Sequence, residues 1–179
     1  MVRKPPGWVD VGKTDARYRR CDELIRIALC KGLRERRLGV TTGEICRLAQ
    51  IARPTFYAHH KTVDSALKEY ETALHESLQN RLPVTRARDV IFTILLSYIR
   101  ENRGYFEATV PNANYWLLQE ILESLRPSLA GIQINDQVYD VYIHYQITII
   151  ASWVKFEGCS TILLPSYVKK LLTTRMRSL

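Results

Sequence analysis

The chain has 179 residues, of which 46% are hydrophobic and 25% charged, the balance of an ordinary globular protein with room for one medium domain or a small one continuous with a larger. Its net charge of +8 is concentrated in the first third: residues 1–62 hold 14 Lys and Arg against 6 Asp and Glu, whereas residues 63–179 hold 12 of each. Four cysteines (Cys21, Cys30, Cys46 and Cys159) show neither metal-ligand spacing nor an apolar leader before them, which argues against a disulfide-stapled secreted domain and for a reduced, cytoplasmic protein.

Residues 1–13, with Pro5, Pro6 and Gly7, read as a flexible basic arm. A first helix is expected from about Asp15 to Leu38, with an apolar stripe of Leu24, Ile25, Ala28 and Leu29 and a C-cap at Gly39. Thr41 or Thr42 can cap a second helix whose first turn Glu44 supports and whose buried face is Ile45, Leu48 and Ala49. Pro54 fits the first turn of a third helix, with Phe56 pointing inward. Residues 14–63 therefore read as a helix-turn-helix domain.

From Asp64 a long connecting helix is expected to about Arg81, ended by Pro83. Apolar helical segments follow near 86–103, 112–126, 136–157 and 165–177, punctuated by Gly104, Pro111, Pro127, Gly131, Gly158 and Pro165. Nothing alternates with a strand's period, so the expected class is all-α: a three-helix head joined by a long helix to a helical body over 64–179. The uncharged run from Val141 to Val154 is too short for a bilayer and contains His144, Gln146, Thr148 and Ser152. No membrane segment is expected.

The chemistry of residues 41–62, TTGEICRLAQIARPTFYAHHKT, suits DNA. Arg53, Pro54 and Thr55 open the third helix, the part that meets base edges in the major groove. Arg53 can bind guanine O6 and N7 or a phosphate. Tyr57, His59 and Lys61 are two apart and cannot share one helical stripe, but at the end of a short helix they can fan out toward one phosphate strand. Thr42, at the start of the second helix, can donate to another phosphate. Taken singly, Tyr57 could equally pack in a core and His59 cap a helix C-terminus.

This stretch resembles the DNA-binding head of the TetR/AcrR family of bacterial transcriptional regulators. The resemblance is carried by Thr41, Thr42, Ile45, Ala49, the turn from Ile51 to Arg53, Thr55-Phe56-Tyr57, His59 and Lys61, and covers roughly residues 15–70. Tyr145 to Trp153 is faintly similar to the subgroup related to dihydroxyacetone-kinase regulators. Four positions depart from the family pattern: Gln50 replaces a turn glycine, Ala52 a Ser or Thr cap, His60 an aromatic or aliphatic residue, and Val63 a second phosphate-binding lysine. A left-handed conformation at Gln50 would carry strain.

The resemblance implies a homodimer with an effector pocket in its C-terminal body. Val141, Tyr142, Ile143, Tyr145, Ile147, Ile149, Ile150, Trp153 and Val154 form a helix apolar almost all round, which must be covered on two sides. Ile149, Ile150 and Trp153, with Leu164, Val168, Leu171 and Leu172 from the last helix, are the expected dimer interface, a four-helix contact with C2 symmetry. Tyr98, Tyr105, Tyr115, Trp116, Tyr142, Tyr145 and Gln146 are candidates to line a pocket, although aromatics at helical spacing are more often plain core.

The expected function is that of a homodimeric, sequence-specific transcriptional regulator: a repressor on a double-stranded DNA operator, released by a small-molecule effector. The alternative is a helical protein-interaction module or coactivator with weak or no DNA binding. No enzyme, cofactor or metal is expected, because the acidic residues are scattered and no nucleophile, base or metal-ligand spacing stands out.

Overall fold

A computed structural model describes residues 16–36, 39–82, 88–124 and 136–157, and these are helical with no strand among them, in the expected all-α class. The chain divides into two compact units, residues 1–68 and 69–179. The division falls inside α4 (Val63–Gln79), so this one helix begins in the first unit and ends in the second.

The first unit is built from α1 (Ala16–Arg36), α2 (Thr42–Ala49) and α3 (Arg53–His59) together with the start of α4. Ile25, Ala28 and Leu29 of α1 are buried against Ile45, Cys46 and Ala49 of α2, Phe56 of α3 and Ala66 of α4. Leu24, expected in the α1 stripe, is instead 39% exposed. It sits about a quarter-turn from the face that Ile25, Ala28 and Leu29 define, and α2 covers that face only. α1 also approaches the chain entering α2 closely: a Cβ on Gly32 would lie 2.8 Å from Val40 Cγ1.

Local chemistry sets both ends of α2. Thr41 is its N-cap; Thr41 Oγ1 accepts from the Glu44 N–H at 3.3 Å, and the Glu44 carboxylate accepts from the Thr41 N–H at 3.1 Å. This reciprocal box satisfies two donors that the helix itself leaves orphaned. At the other end Gln50 adopts φ 55° and ψ 42°, the Gln50 N–H donates to Arg47 O at 3.4 Å and the Ile51 N–H to Cys46 O at 3.0 Å. That is a Schellman ending with glutamine where glycine is favoured. Ile51 packs back on the core cluster and keeps the turn in place.

Because a Cβ in the left-handed region costs about 1 kcal/mol or slightly more, Gln50→Gly should stabilise this unit. The freer unfolded chain offsets part of the gain, by about 0.4–1 kcal/mol. The expected result is a urea midpoint raised slightly, with an unchanged slope. A lowered midpoint would mean that the exposed glutamine side chain contributes more than its backbone costs.

The second unit contains the rest of α4, α5 (Arg88–Glu101), α6 (Arg103–Thr109), a 3-10 turn at Val110–Asn112, α7 (Trp116–Ser124) and α8 (Asp136–Glu157). α8 packs on α6, the 3-10 turn and α7. Ile91, Phe92, Leu95, Leu96 and Ile99 of α5 are at most 1% exposed and form much of its core. Two buried tyrosine hydroxyls tie α4 to its neighbours: Tyr98 donates to Leu74 O at 2.6 Å, and Tyr105 to the Glu71 carboxylate at 2.5 Å.

Two expectations are corrected here. The helix expected over 86–103 ends at Glu101, and a separate helix starts at Arg103 and runs through Gly104, a residue that by itself reads as a break. Burial of Tyr105, Phe106, Ala108 and Thr109 outweighs the weak helix preference of one glycine. Nor is α8 apolar all round: Asp140, Val141, His144, Tyr145, Thr148, Ser152 and Lys155 form an exposed stripe along it, with Val141 68% and Tyr145 48% exposed. Among the described residues, no helix is long and apolar enough to cross a membrane. The basic arm, Cys159 and the helix expected over 165–177 lie outside the described residues.

Candidate nucleic-acid interface

α3 is only seven residues long, and its orientation depends on one side chain. Phe56 is fully buried, and Pro54 in the first turn removes an N–H that would otherwise need a partner. Ala52 occupies the N-cap position and makes no side-chain bond there, as a methyl must. With Phe56 inward, Arg53, Pro54, Tyr57 and Ala58 fall at i, i+1, i+4 and i+5 and form one exposed face, Tyr57 being 55% exposed. Thr55 is half-buried beside it. Lys61 is exposed in the bend after the helix, and Thr42 is half-buried at the start of α2.

Arg53 bridges the two helices of this surface. Its guanidinium nitrogen lies 3.0 Å from where a Cβ on Gly43 would stand, so the missing side chain at Gly43 leaves room for it beside the first turn of α2. The N-terminal end of α2, with its partial positive charge, and the Arg53 guanidinium therefore share a corner with Thr42. The Glu44 carboxylate stands in the same turn and holds Thr41.

His59 does not join this face. It lies three residues beyond Phe56 and so falls toward the buried side, where its ring stacks on Tyr18 of α1 with centroids 3.8 Å apart and planes 19° from parallel. His59 Nδ1 is buried without a hydrogen-bond partner. Burial pushes the imidazole pKa below its usual range, with the neighbouring Asp22 charge opposing that shift. The fan expected from Tyr57, His59 and Lys61 thus loses its middle member to α1.

Behind α3 lies a group that sequence reasoning missed. His60, 7% exposed, places Nε2 3.1 Å from Asp22 Oδ1, and Asp22 Oδ2 pairs with Arg26 at 2.7 Å. An ionised Asp only accepts, so Nε2 carries the proton in this bond. The His60 hydrogen bond holds the Asp22 carboxyl below its ordinary pKa; burial opposes it and the Arg26 charge assists. Asp22 and His60 are 38 positions apart in the chain. The one signal in the sequence was a histidine at position 60, where the resembling family carries an apolar residue.

In the second unit, a cleft of about 220 Å³ is lined by Val110, Pro111, Tyr115, Ile147, Thr148, Ala151, Ser152 and Lys155. Of the seven pocket candidates, Tyr115 alone lines it. Tyr98, Tyr105, Tyr142 and Gln146 are buried in the core, whereas Trp116 and Tyr145 are exposed. The aromatic residues serve mainly as packing, and the cleft draws its hydroxyls and its lysine from another side of α8. Gln146 has both amide atoms buried without a partner, as has Trp153 its indole N–H.

The interface candidates are corrected in the same way. Ile150 and Trp153 are 0% and 2% exposed in the single chain, so neither is available on its surface to meet a second copy. Ile149 is half-buried, and Leu164, Val168, Leu171 and Leu172 lie outside the described residues. No family model, curated protein or solved structure matches this chain.

Proposed function

We propose that α3 reads double-stranded DNA and that the chain is a homodimeric transcriptional regulator of the TetR/AcrR type, a repressor released by a small molecule bound in its C-terminal unit. One observation carries the proposal: a short helix, clamped by Phe56, presents Arg53 and Tyr57 on a single exposed face, within the segment that holds all the excess positive charge. Arg53 and Thr55 would meet base edges at the start of the helix, while Tyr57, Lys61 and Thr42 would hold phosphates. A dimer would set two such helices on half-sites one DNA turn apart, about 34–36 Å. The effector would bias the dimer between spacings that match and mismatch the operator. The cleft that joins Tyr115 to Thr148, Ser152 and Lys155 is the best candidate to receive it.

The test is selection of a preferred duplex from a random pool, followed by fluorescence anisotropy across a salt series. Binding by the parent should fall steeply with salt. Lys61→Ala should weaken binding to all sequences and reduce the salt slope by about 1, whereas Arg53→Ala should cost about 1–3 kcal/mol and relax base preference. Should no duplex be enriched, and should neither variant change the weak binding that remains, the chain is better described as a protein-interaction module.

A further inference from the structure

The far side of α3 brings together donors from two separate elements. Asp22 comes from α1, His59 closes α3, and His60 follows it. One ring nitrogen of each histidine and one carboxylate oxygen of Asp22 all lie within 4.8 Å of one another. Of these, His60 Nε2 and Asp22 Oδ1 are 3.1 Å apart. A tetrahedral ion with bonds of about 2.0–2.1 Å separates neighbouring donors by roughly 3.3 Å, so an ion would fit between this pair in place of their hydrogen bond, the His60 proton moving from Nε2 to Nδ1 to free the lone pair. The His59 donor lies within 4.8 Å of the other two and would have to come nearer for one ion to bind all three.

The surroundings favour an ion over a chance cluster. Arg26 grips Asp22 Oδ2 at 2.7 Å and leaves Oδ1 turned to His60, the outer-shell support that ligating carboxylates usually have. Its positive charge opposes a cation, which lowers affinity without removing a donor. His59 Nδ1 is buried with no partner, a cost that a bound ion would relieve. Two imidazoles and one carboxylate suit first-row transition metals and not magnesium or calcium, which prefer oxygen alone.

We propose that Asp22, His59 and His60 form a site for a divalent transition-metal ion of the zinc type, with water completing the fourth position. The ion would staple α1 to the end of α3. The site does not involve Arg53, Tyr57 or Lys61, so it stands or falls separately from DNA reading.

The full chain, stripped with a chelator, is titrated with Co²⁺ and then Zn²⁺ beside His59→Gln, Asp22→Asn, His60→Gln and, as a control, His75→Gln in the part of α4 that belongs to the second unit. Parent and His75→Gln should bind one Co²⁺ per chain with visible ligand-field absorption that Zn²⁺ abolishes. His59→Gln and Asp22→Asn should bind more weakly by more than the roughly 10- to 100-fold that loss of an outer-shell partner costs. Zn²⁺ should raise the melting temperature of the parent but not of His59→Gln. His60 is 7% exposed, so its variant is read only if its circular dichroism matches the parent; half-buried His59 carries the test otherwise. Failure of the parent to bind one equivalent, or binding unchanged in both His59→Gln and Asp22→Asn, overturns the site.

Discussion

Phe56→Ala should unfold most of the N-terminal unit while leaving the C-terminal one helical. The side chain is fully buried among Ile25, Ala28, Leu29, Ile45 and Ala49, and it is the largest member of that small cluster. Replacing a buried phenylalanine by alanine costs about 3–5 kcal/mol, against a typical domain stability of about 5–15 kcal/mol. A unit with one cluster of this size has little margin. Limited proteolysis should therefore find new cleavage between residues 16 and 68, and helicity by circular dichroism should fall only in part. DNA binding, if α3 performs it, should disappear although no residue of its exposed face has changed. Phe56→Leu keeps most of the buried volume and should cost clearly less. An alanine variant as protease-resistant as the parent would contradict the central place given to this ring.

Trp153→Ala should be equally costly, about 3–5 kcal/mol, but in the other unit and independently of protein concentration. This prediction separates two roles for the same residue. As a surface anchor between copies, Trp153 would shift the monomer–dimer midpoint and make stability depend on concentration. As a core residue, 2% exposed within one chain, it should lower the melting temperature of the C-terminal unit alike at all concentrations. Trp153→Phe offers an internal comparison. It loses packing, but it also removes an indole N–H that is buried without a partner, an omission worth about 1–3 kcal/mol. The phenylalanine variant should therefore lie much nearer the parent than the alanine variant. A melting temperature unchanged by Trp153→Ala, with a dimer that dissociates more readily, would restore Trp153 to an interface.

These two residues show where sequence reasoning reaches. Phe56 was legible because its environment is local: Pro54 starts the helix, and the spacing from Ile45 and Ala49 leaves it one side on which to pack. Trp153 lies on a helix with apolar residues at most positions, and periodicity alone could not say which of them face their own chain. The exposed stripe through Asp140, His144, Thr148, Ser152 and Lys155 is polar enough to be recognised afterwards, but Val141 and Tyr145 within it masked the pattern.

The sequence by itself determined the helical class, the capping of α2 by a threonine at 41 or 42 with Glu44 in its first turn, the placing of Pro54 in the first turn of α3, the inward turn of Phe56 and the concentration of positive charge in the first 62 residues. Each depends on residues within about one helical turn or on simple counting, so neighbours suffice. Only the tertiary structure decided that Gln50 takes the left-handed turn, that α6 forms through Gly104, that His59 stacks on Tyr18, and that Asp22 meets His60. In these cases packing between distant segments outweighs local preferences of about 1 kcal/mol, and nothing in the intervening residues records which distant partner will be there.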